Sequence, residues 1–386
     1  MKARVIHLIT KLELGGAQGN TLHTARRLDR ARFSVALWSG DGGILNAEAR
    51  AIPELDFEII PPLAREVDPI RDAQAFFLLC RKLRAEIKKH APLPVILHTH
   101  SSKAGILGRL AARLAGVPLV VHTYHGFGFN AFQPWPVRAL YVFLERLAGK
   151  YSRALVAVSR SNLEEAVRRG LCPREKIRLI RSGVAVENFY PRPFDRAAQR
   201  REMGVKPEAL LVTMVACLKP QKAPLDFARV AAKIAAAVPE AEFVLAGDGE
   251  LRPALEKLAA ELGLADRFHL LGWRRDVPEI LWASDLLVLT SYWEGLPRVY
   301  PEALAAGVPV VGTRVDGAAE AVVDNETGFL FPPGDAAGMA EKAIALLRDP
   351  KARARLAAAG KSRVDEFDIR HLAPAQEALY EALLAG

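Results

Sequence analysis

The stretch DLLVLTSYWEGLPRVYPEALAAGVPVV, residues 285–311, decides the fold of the second half of the chain. It predicts a buried strand, a short loop, a helix and a second buried strand, which is the repeating unit of a parallel α/β sheet. Glu294 lies in the loop, and Glu302 lies about two turns away on the helix. The first amides of that helix face the loop and can bind a phosphate. The two carboxylates can then bind hydroxylated groups on either side of the phosphate. The stretch therefore predicts a site for a nucleotide sugar.

Short apolar runs alternate with helical patterns along all 386 residues, which predicts parallel sheets with helices on both faces. The pattern restarts after a polar, proline-containing segment, Glu187–Gly204, which we interpret as an interdomain linker. The predicted fold class is α/β, with two doubly wound Rossmann-like domains, residues 1–186 and 187–369, facing each other across a cleft. The apolar runs predict strands at Val5–Ile9, Ser34–Trp38, Phe57–Ile60, Val95–His98, Leu119–Thr123, Ala154–Val158, Ile177–Ile180, Leu211–Ala216, Glu242–Ala246, Phe268–Leu271, Leu286–Leu289 and Val308–Val311.

The composition is that of a globular protein with large cores, since 51% of the residues are apolar. The N-terminal MKARVIHLIT lacks the long apolar run and cleavage site of a signal peptide. No apolar run reaches the ~20 residues that span a bilayer. Cys80, Cys172 and Cys217 are too few and too scattered for a disulfide framework or a zinc site. These features predict a soluble cytoplasmic protein.

The net charge of +9 is unevenly distributed. Residues 1–190 hold 29 Lys and Arg against 16 Asp and Glu, or +13, and the remaining residues hold 24 against 28, or −4. A basic first half suits an anionic membrane surface, a lipid phosphate or nucleic acid, although a well-solvated arginine-rich surface gives the same count. No zinc-finger, helix-turn-helix or ribonucleoprotein motif is present, so we expect no nucleic-acid partner.

The helix within residues 285–311 is predicted to begin near Arg298, with Pro301 in its first turn, where a missing N–H costs little. Gly295 permits a close approach of the backbone to a ligand. We expect a diphosphate to bind along the loop and the helix start, at Gly295, Leu296, Pro297 and Arg298.

Glu294 and Glu302 would lie roughly 12 Å apart on a single helix. The paired carboxylates of a glycosidase lie about 5–9.5 Å apart, so this pair is poorly placed for hydrolysis. We therefore assign separate roles, Glu294 to the sugar and Glu302 to the ribose hydroxyls. The alternative is one solvated carboxylate and one that caps the helix.

Two further loops of the second domain follow predicted strands. Lys219 and Lys222 come directly after the first of these strands, where an ammonium group can neutralise a diphosphate. Gly247, Asp248 and Gly249 follow the next strand. Their glycines permit close approach to a ligand, although such a turn is also ordinary strand-to-helix punctuation.

The candidate residues of the first domain also follow strands. Gly15 and Gly16 open a helix after the first strand, in a segment that is not the G-x-G-x-x-G fingerprint of dinucleotide enzymes. Four histidines lie at the ends of two further strands: His98, His100, His122 and His125. No carboxylate or cysteine accompanies them at ligand spacing, so we predict no metal ion. We assign a functional role to His125, which precedes a glycine- and phenylalanine-rich segment.

Together these residues resemble glycosyltransferase family 4, the retaining glycosyltransferases with a GT-B fold. The resemblance covers nearly the whole chain, and its most specific element is Glu, seven residues and Glu, here Glu294 to Glu302. It implies that Glu294 binds the donor sugar and Glu302 the ribose. The family's glycine pair matches Gly15-Gly16, and its His-Gly matches His125-Gly126, whose imidazole contacts the donor sugar.

The family's basic pair, which binds the diphosphate, matches less closely. Its lysine falls on Lys222, but its arginine five positions earlier falls on Cys217, and Lys219 is the candidate substitute. The segments HTHSSKAGILGR and KPQK are similar to the branch that makes bacterial surface polysaccharides and lipid-linked glycans. In similar proteins the C-terminal helix, here within residues 370–386, crosses back onto the first domain.

The resemblance implies transfer of a hexosyl group from a nucleotide diphosphate sugar, with a UDP-sugar favoured over a GDP-sugar, to an acceptor hydroxyl with retention of configuration. It implies no metal ion and no cofactor, and a lipid-linked glycan as acceptor at the cytoplasmic face of the inner membrane. His125, Lys222 and Glu294 are the predicted catalytic residues. The alternatives are a sugar-nucleotide epimerase of the same architecture, a dehydrogenase and a non-catalytic nucleotide-sugar-binding protein.

The segment GFGFNAFQPWP, residues 126–136, is rich in aromatic side chains beside basic helices such as Arg81–Lys89. An exposed aromatic loop flanked by cations suits an interfacial acceptor site, whereas packing of the same rings inside the domain is the alternative. We predict a peripheral contact with an anionic membrane surface through Phe127, Phe129, Phe132 and Trp135.

Overall fold

A computed structural model describes residues 2–386 of the chain. The chain folds into two compact units, the first formed by Met1–Gly183 with Ile369–Gly386 and the second by Val184–Asp368. The domain boundaries predicted after residues 186 and 369 lie within three residues of these bounds.

The first unit is a seven-stranded sheet in which every neighbouring pair of strands is parallel, in the order β3-β2-β1-β4-β5-β6-β7. The strands are β1 (Ala3–Ile9), β2 (Phe33–Ser39), β3 (Asp56–Ile59), β4 (Val95–His100), β5 (Leu119–Tyr124), β6 (Ala154–Ala157) and β7 (Ile177–Leu179). The helices between them are α1 (Gly16–Arg27), α2 (Asn46–Arg50), α3 (Pro69–His90), α4 (Ser102–Ala115), α5 (Trp135–Lys150) and α6 (Arg160–Arg168). The central strands β1 and β4 are buried along their whole length, as expected for a sheet covered on both faces.

The second unit is a six-stranded parallel sheet in the order β10-β9-β8-β11-β12-β13. Its strands are β8 (Leu210–Val215), β9 (Ala241–Ala246), β10 (Phe268–Gly272), β11 (Leu286–Leu289), β12 (Val310–Thr313) and β13 (Gly328–Phe331). Its helices are α7 (Arg196–Glu202), α8 (Pro224–Ala237), α9 (Arg252–Glu261), α10 (Val277–Ala283), α11 (Val299–Ala306), α12 (Ala318–Ala321), α13 (Ala336–Arg348) and α14 (Pro350–Lys361).

All the predicted strands are present, with bounds within two residues of the prediction. The edge strand Gly328–Phe331 was not predicted, because its four residues begin with glycine and are too short for a recognisable period. The prediction that Glu187–Gly204 is only a linker is wrong. This segment contains the helix Arg196–Glu202, and the Arg200 guanidinium is buried against Asp285 at 2.7 Å and against the Ala283 carbonyl oxygen at 2.9 Å.

The C-terminal helix α15 (Leu372–Ala385) packs on the first unit beside α1. Tyr380 of α15 is fully buried, with its ring edge-on to Phe33 at 5.9 Å between centroids. The Tyr380 hydroxyl also lies 2.5 Å from Nδ1 of His98, in the middle of the sheet. Leu372 and Tyr380 therefore belong to the hydrophobic core of the first unit.

None of the helices formed by residues 2–386 is both long enough and apolar enough to span a membrane.

Candidate active site

The loop that carries Glu294 lies at the carboxyl end of β11 and leads into α11. The helix begins at Val299 with Arg298 as its N-cap residue, and Pro301 lies in the first turn, as the sequence predicted. Ligands of parallel α/β sheets bind at this edge, so the loop is placed where a substrate is expected.

The side chains of Glu294 and Lys222 form an ion pair in this loop region. Lys222 Nζ lies 2.5 Å from Glu294 Oε1, and the Ser291 hydroxyl donates to the same oxygen at 2.7 Å. The Glu294 side chain is nearly buried, at 7% exposure, while 21% of the Lys222 side chain is exposed. The second carboxylate oxygen accepts no hydrogen bond from residues 2–386, so it can accept one from a ligand hydroxyl.

Gln221 joins the loop of Lys222 to the loop of Glu294. Its side-chain amide donates to the Trp293 carbonyl oxygen at 2.9 Å, and its own carbonyl oxygen accepts from the Tyr292 N–H at 2.8 Å. These two hydrogen bonds hold the loops together, although the loops are far apart in sequence. Sequence reasoning did not identify this role, because a glutamine in a polar loop carries no pattern.

The loop after β12 supports the Glu294 loop from its other side. The Asp316 carboxylate accepts from the Glu294 backbone N–H at 2.6 Å, and the Gly317 N–H donates to the Gly295 carbonyl oxygen at 3.1 Å. Asp316 has a φ of 38°, in the left-handed region that aspartate tolerates better than most residues. Sequence reasoning also missed Asp316, since only the fold brings it beside Glu294.

The start of α11 presents a row of backbone donors. In the part of the chain that the structure describes, the N–H groups of Gly295, Leu296, Arg298 and Val299 donate to no protein acceptor, and Pro297 has no N–H. Such unpartnered amides at a helix N-terminus attract an anion, because their partial charges add to the helix dipole. The predicted residues of the diphosphate site thus share one turn.

Glu302 lies on α11 with its carboxylate 3.7 Å from the Arg298 guanidinium. Burial raises the pKa of Glu302, and the nearby charges of Arg298 and Lys222 partly oppose that effect. A hydrogen-bond donor stabilises the charged form of a buried carboxylate, and a pair of ribose hydroxyls would provide such donors.

The glycines at positions 247 and 249 have a packing function in the structure. A Cβ atom at Gly247 would lie 1.9 Å from the Ala216 carbonyl oxygen, and one at Gly249 would lie 2.7 Å from the Leu218 carbonyl oxygen. Asp248 fixes the turn, because its side chain accepts from the Gly249 N–H at 2.7 Å. These residues let the loop after β9 pack on the loop that leads to the lysines, and contact with a ligand stays a prediction.

Lys219 is the N-cap residue of a short 3-10 helix, Pro220–Lys222, at the end of this loop. Its side chain is partly exposed, as is that of Cys217, which occupies the predicted arginine position. Substitution of Lys219 for the missing arginine therefore stays a prediction.

In the first unit, Gly15 and Gly16 lie at the start of α1, directly after β1. Gly15 has an extended backbone, with φ of −176°, which any residue can adopt. A side chain at Gly15 would meet only the flexible end of Gln18, 2.6 Å away. The glycine is therefore not required by the fold, which leaves close approach of a ligand as a reason for it.

Three histidines form a continuous chain of ring nitrogens at the carboxyl edge of this sheet. His7 Nδ1 lies 3.0 Å from His100 Nε2, and His100 Nδ1 lies 3.0 Å from His125 Nε2. His7 and His100 are buried on β1 and β4, and His125 directly follows β5 and is partly exposed. Sequence reasoning assigned a role to His125 and named His100 only as a histidine at a strand end. It missed His7, which lies within a buried apolar strand.

This chain restricts where the imidazole protons can lie. Burial, aided by the charge of Arg30, lowers the pKa of His7 to about 3, and burial lowers the pKa of His100 well below its usual range. Both rings are therefore neutral at neutral pH. The chain ends at a buried ring nitrogen on each side, Nε2 of His7 and Nδ1 of His125, so its hydrogen bonds can run in either direction. In one direction His7 and His100 donate from Nδ1 and His125 accepts at Nε2; in the other, His125 donates from Nε2 and His100 donates from Nε2 to His7.

His98 and His122 have structural partners. His98 bonds the Tyr380 hydroxyl through Nδ1 and the Thr123 hydroxyl, at 2.7 Å, through Nε2, while His122 Nδ1 lies 2.9 Å from the Thr99 hydroxyl. Burial lowers the pKa of both histidines well below the usual value.

His7, His98 and His100 each place one ring nitrogen within 4.8 Å of the others, which is a geometry that can suggest a metal ion. Five of their six ring nitrogens are already hydrogen-bonded to protein groups. A cation there would have to break several of these bonds, so the cluster is better suited to holding His125 than to holding a metal.

The aromatic segment of residues 126–136 divides into two parts. Phe127 and Phe129 stack on each other at 4.7 Å between centroids. Phe129 is 6% exposed, so the prediction that it faces a membrane is wrong, while Phe127 is partly buried. They pack with Tyr124 and Val142 into a small core. Phe132 and Trp135, at 58% and 74% exposure, are at the surface.

Comparison with known proteins gives a consistent result for both halves of the chain. Residues 14–188 match the model of "Glycosyltransferase Family 4", and residues 195–363 match that of "Glycosyl transferases group 1". The Escherichia coli UDP-Gal:alpha-D-GlcNAc-diphosphoundecaprenol alpha-1,3-galactosyltransferase is 36% identical over 86% of this chain and 85% of its own length.

Solved structures share the fold of the whole chain. Anabaena HepE in complex with UDP-glucose is similar with a TM-score of 0.82 and 22% identity, over 98% of this chain and 99% of its own. WaaG, a glycosyltransferase involved in lipopolysaccharide biosynthesis, is similar with a TM-score of 0.76 and 18% identity, over 97% of this chain and 98% of its own. These likenesses confirm the predicted GT-B class of fold.

Proposed function

The chain belongs to the retaining glycosyltransferases of family 4, and we propose that it transfers a hexosyl group from a UDP-sugar to a sugar hydroxyl on a lipid diphosphate. UDP-galactose is the first donor to test, because it is the donor that the name of the 36% identical Escherichia coli relative states. The same name supports an acceptor of N-acetylglucosamine linked to a lipid diphosphate.

The observation that carries the proposal is the Lys222–Glu294 pair beside the unpartnered amides of α11. An ammonium group and several N–H groups can bind a diphosphate, and a carboxylate can accept hydrogen bonds from sugar hydroxyls. In this proposal Lys222 and the amides of Gly295–Arg298 hold the diphosphate. Glu294 binds the sugar hydroxyls, and Glu302 binds the ribose.

The proposed reaction is substitution at the anomeric carbon on the face from which the diphosphate leaves. The acceptor oxygen forms the new bond as the bond to the diphosphate breaks, and the acceptor proton passes to an oxygen of the leaving phosphate. Lys222 and the amides stabilise the negative charge that grows on the diphosphate, and preorganised donors of this kind often contribute more to catalysis than any other effect. The imidazole of His125 contacts the donor sugar in this proposal. The mechanism uses no metal ion.

A lipid-linked acceptor places the reaction at a membrane surface. We expect the protein to work at the cytoplasmic face of the inner membrane, in contact with anionic lipids, and to serve the synthesis of a surface polysaccharide or another cell-envelope glycan. The excess of basic residues in the first half of the chain supports this part of the proposal.

The direct test is to incubate the purified protein with UDP-galactose, UDP-glucose, UDP-N-acetylglucosamine or GDP-mannose and a short-chain N-acetylglucosaminyl lipid diphosphate. Mass spectrometry and NMR of the product should show one added hexose in α linkage. An epimerised sugar formed without acceptor would instead indicate an epimerase. Saturable donor binding without turnover toward any acceptor would indicate a binding protein, and either result would contradict the proposal.

A further inference from the structure

Helix α5 of the first unit exposes an apolar surface to solvent. Trp135, Leu140 and Phe143 are 74%, 55% and 60% exposed, and the helix is ~24 Å long. Large side chains of this kind are rarely left exposed so close together unless they meet a partner. Five of the exposed large apolar residues lie within twelve positions: Phe132, Trp135, Val137, Leu140 and Phe143.

The sequence of α5 and its flanks is basic, and the nearest carboxylates that follow it are Glu164 and Glu165 on α6 and Glu175 beside Lys176. Residues 87–163 contain ten Lys and Arg and a single acidic residue, Glu145. Glu145 is buried and accepts from the Arg109 guanidinium at 2.6 Å and from the Tyr124 hydroxyl at 3.2 Å. The outer face of α5 therefore carries no carboxylate, and a partner for this face is expected to be anionic.

A groove of about 640 Å³ lies at the C-terminal end of the helix. Phe143 and Leu147 give it an apolar wall, and Arg146, Lys150 and Lys176 place three cations along it without a carboxylate in the lining. An apolar wall with several cations suits an amphiphile that has an anionic head.

The position of α5 relates this surface to the site. The helix follows β5 and the loop of His125, so its Trp135 end lies toward the carboxyl edge of the sheet. Its other end leads into β6, at the amino edge, where the groove lies. A membrane that meets the length of α5 would thus pass close to the His125 edge of the first unit.

We propose that the outer face of α5 and its groove dock on an anionic phospholipid surface, with the apolar side chains among the headgroups and acyl chains and with Arg146, Lys150 and Lys176 on lipid phosphates. This inference rests on the proposed function, because the lipid-linked acceptor of that function brings the protein to a membrane. The residues of the α5 surface are separate from those of the donor site. A protein partner is less well matched, because lysine is depleted at protein interfaces.

The test is sedimentation of the full-length protein with vesicles of phosphatidylcholine, alone or mixed with phosphatidylglycerol. The wild type should bind the mixed vesicles and lose binding as salt is added. Lys150→Glu with Lys176→Glu should weaken that binding by ~30-fold or more, since each basic residue near an anionic leaflet contributes several-fold. Leu140→Ser with Phe143→Ser should weaken it as well, and should do so at every salt concentration.

The matched controls lie in the second unit. Lys233→Glu with Lys351→Glu changes the net charge by the same amount, and Leu262→Ser removes another exposed leucine. Both controls should bind like the wild type. If the Lys150/Lys176 and Lys233/Lys351 variants weaken vesicle binding equally, net charge alone explains the loss of binding, and the inference is overturned.

Two other results separate this inference from the proposed function. A protein that transfers sugar to a soluble short-chain acceptor but binds both kinds of vesicle equally would overturn the membrane surface alone. A protein that binds anionic vesicles through α5 but transfers no sugar would overturn the proposed function alone. A concentration-dependent dimer that Phe143→Ser abolishes would assign the face to a second copy of the chain and would also overturn the inference.

Discussion

Lys222 Nζ lies 2.5 Å from Glu294 Oε1, although the two residues come from loops that follow different strands. Gln221 joins the same two loops through two backbone groups. The cation assigned to the diphosphate and the carboxylate assigned to the sugar are therefore positioned by each other. Preorganisation of this kind reduces the ordering that a substrate must impose when it binds.

Lys222→Met should weaken the binding of UDP by about 1.5–3 kcal/mol, which is the usual contribution of a hydrogen bond to a charged group. Methionine keeps most of the volume of the side chain but has no charge. Isothermal titration with UDP measures the effect. Lys219→Met is the matched variant, and a larger loss with Lys219→Met than with Lys222→Met would reassign the diphosphate contact to Lys219.

We expect His125 to be the Nδ1–H tautomer in the wild type, which corresponds to the direction of the chain in which His100 donates to Nε2 of His125. Selective ¹⁵N-histidine labelling and long-range NMR correlations distinguish the two tautomers. In His100→Leu this constraint is absent, and the His125 signals should shift toward the Nε2–H form while transfer slows. A wild-type spectrum in which His125 carries its proton on Nε2 would show that the hydrogen-bond chain runs in the opposite direction.

The buried histidines should make the first unit sensitive to mild acid. His7, His98, His100 and His122 have pKa values lowered by burial, so below about pH 6.5 the unfolded chain binds protons that the folded chain does not. Stability should therefore be full above this pH and should fall as pH decreases, by up to about 1.4 kcal/mol per pH unit for each ring. Urea unfolding followed from about pH 8 down to about pH 5 checks this, and an unchanged midpoint over that range would contradict it.

Much of this architecture could be predicted from sequence because apolar runs and helical spacing are local signals. The loop of Glu294, the start of α11 at Val299 and the parallel sheets follow from such signals. Asp316 and Gln221 could not be predicted, since their roles depend on contacts between loops that only the sheet order brings together. The role of His7 could not be predicted for a related reason, since its partner His100 on β4 is distant in sequence.

The glycine turn after β9 was predicted from sequence as a ligand-binding loop, and the structure shows that its glycines are needed for packing. Gly247→Ala should destabilise the second unit by about 1–3 kcal/mol or more, because the new methyl group would lie 1.9 Å from the Ala216 carbonyl oxygen at a φ of 144°. Gly263→Ala is the matched control, with a φ of 69° and open space around the added methyl group. Equal losses of melting temperature in the two variants would mean that backbone strain alone, and not loop packing, explains Gly247.

The measurement that tests the central claim most directly is the transfer rate of Glu294→Gln with UDP-galactose and the other nucleotide sugars. The amide keeps an acceptor for the Ser291 hydroxyl but removes the charge that pairs with Lys222 and binds the sugar. The account predicts a loss of about 10²–10³-fold in kcat/KM with UDP still bound, while Glu341→Gln, on the exposed surface of α13, stays at the wild-type rate. Normal transfer by Glu294→Gln with every donor that the wild type accepts would contradict the account.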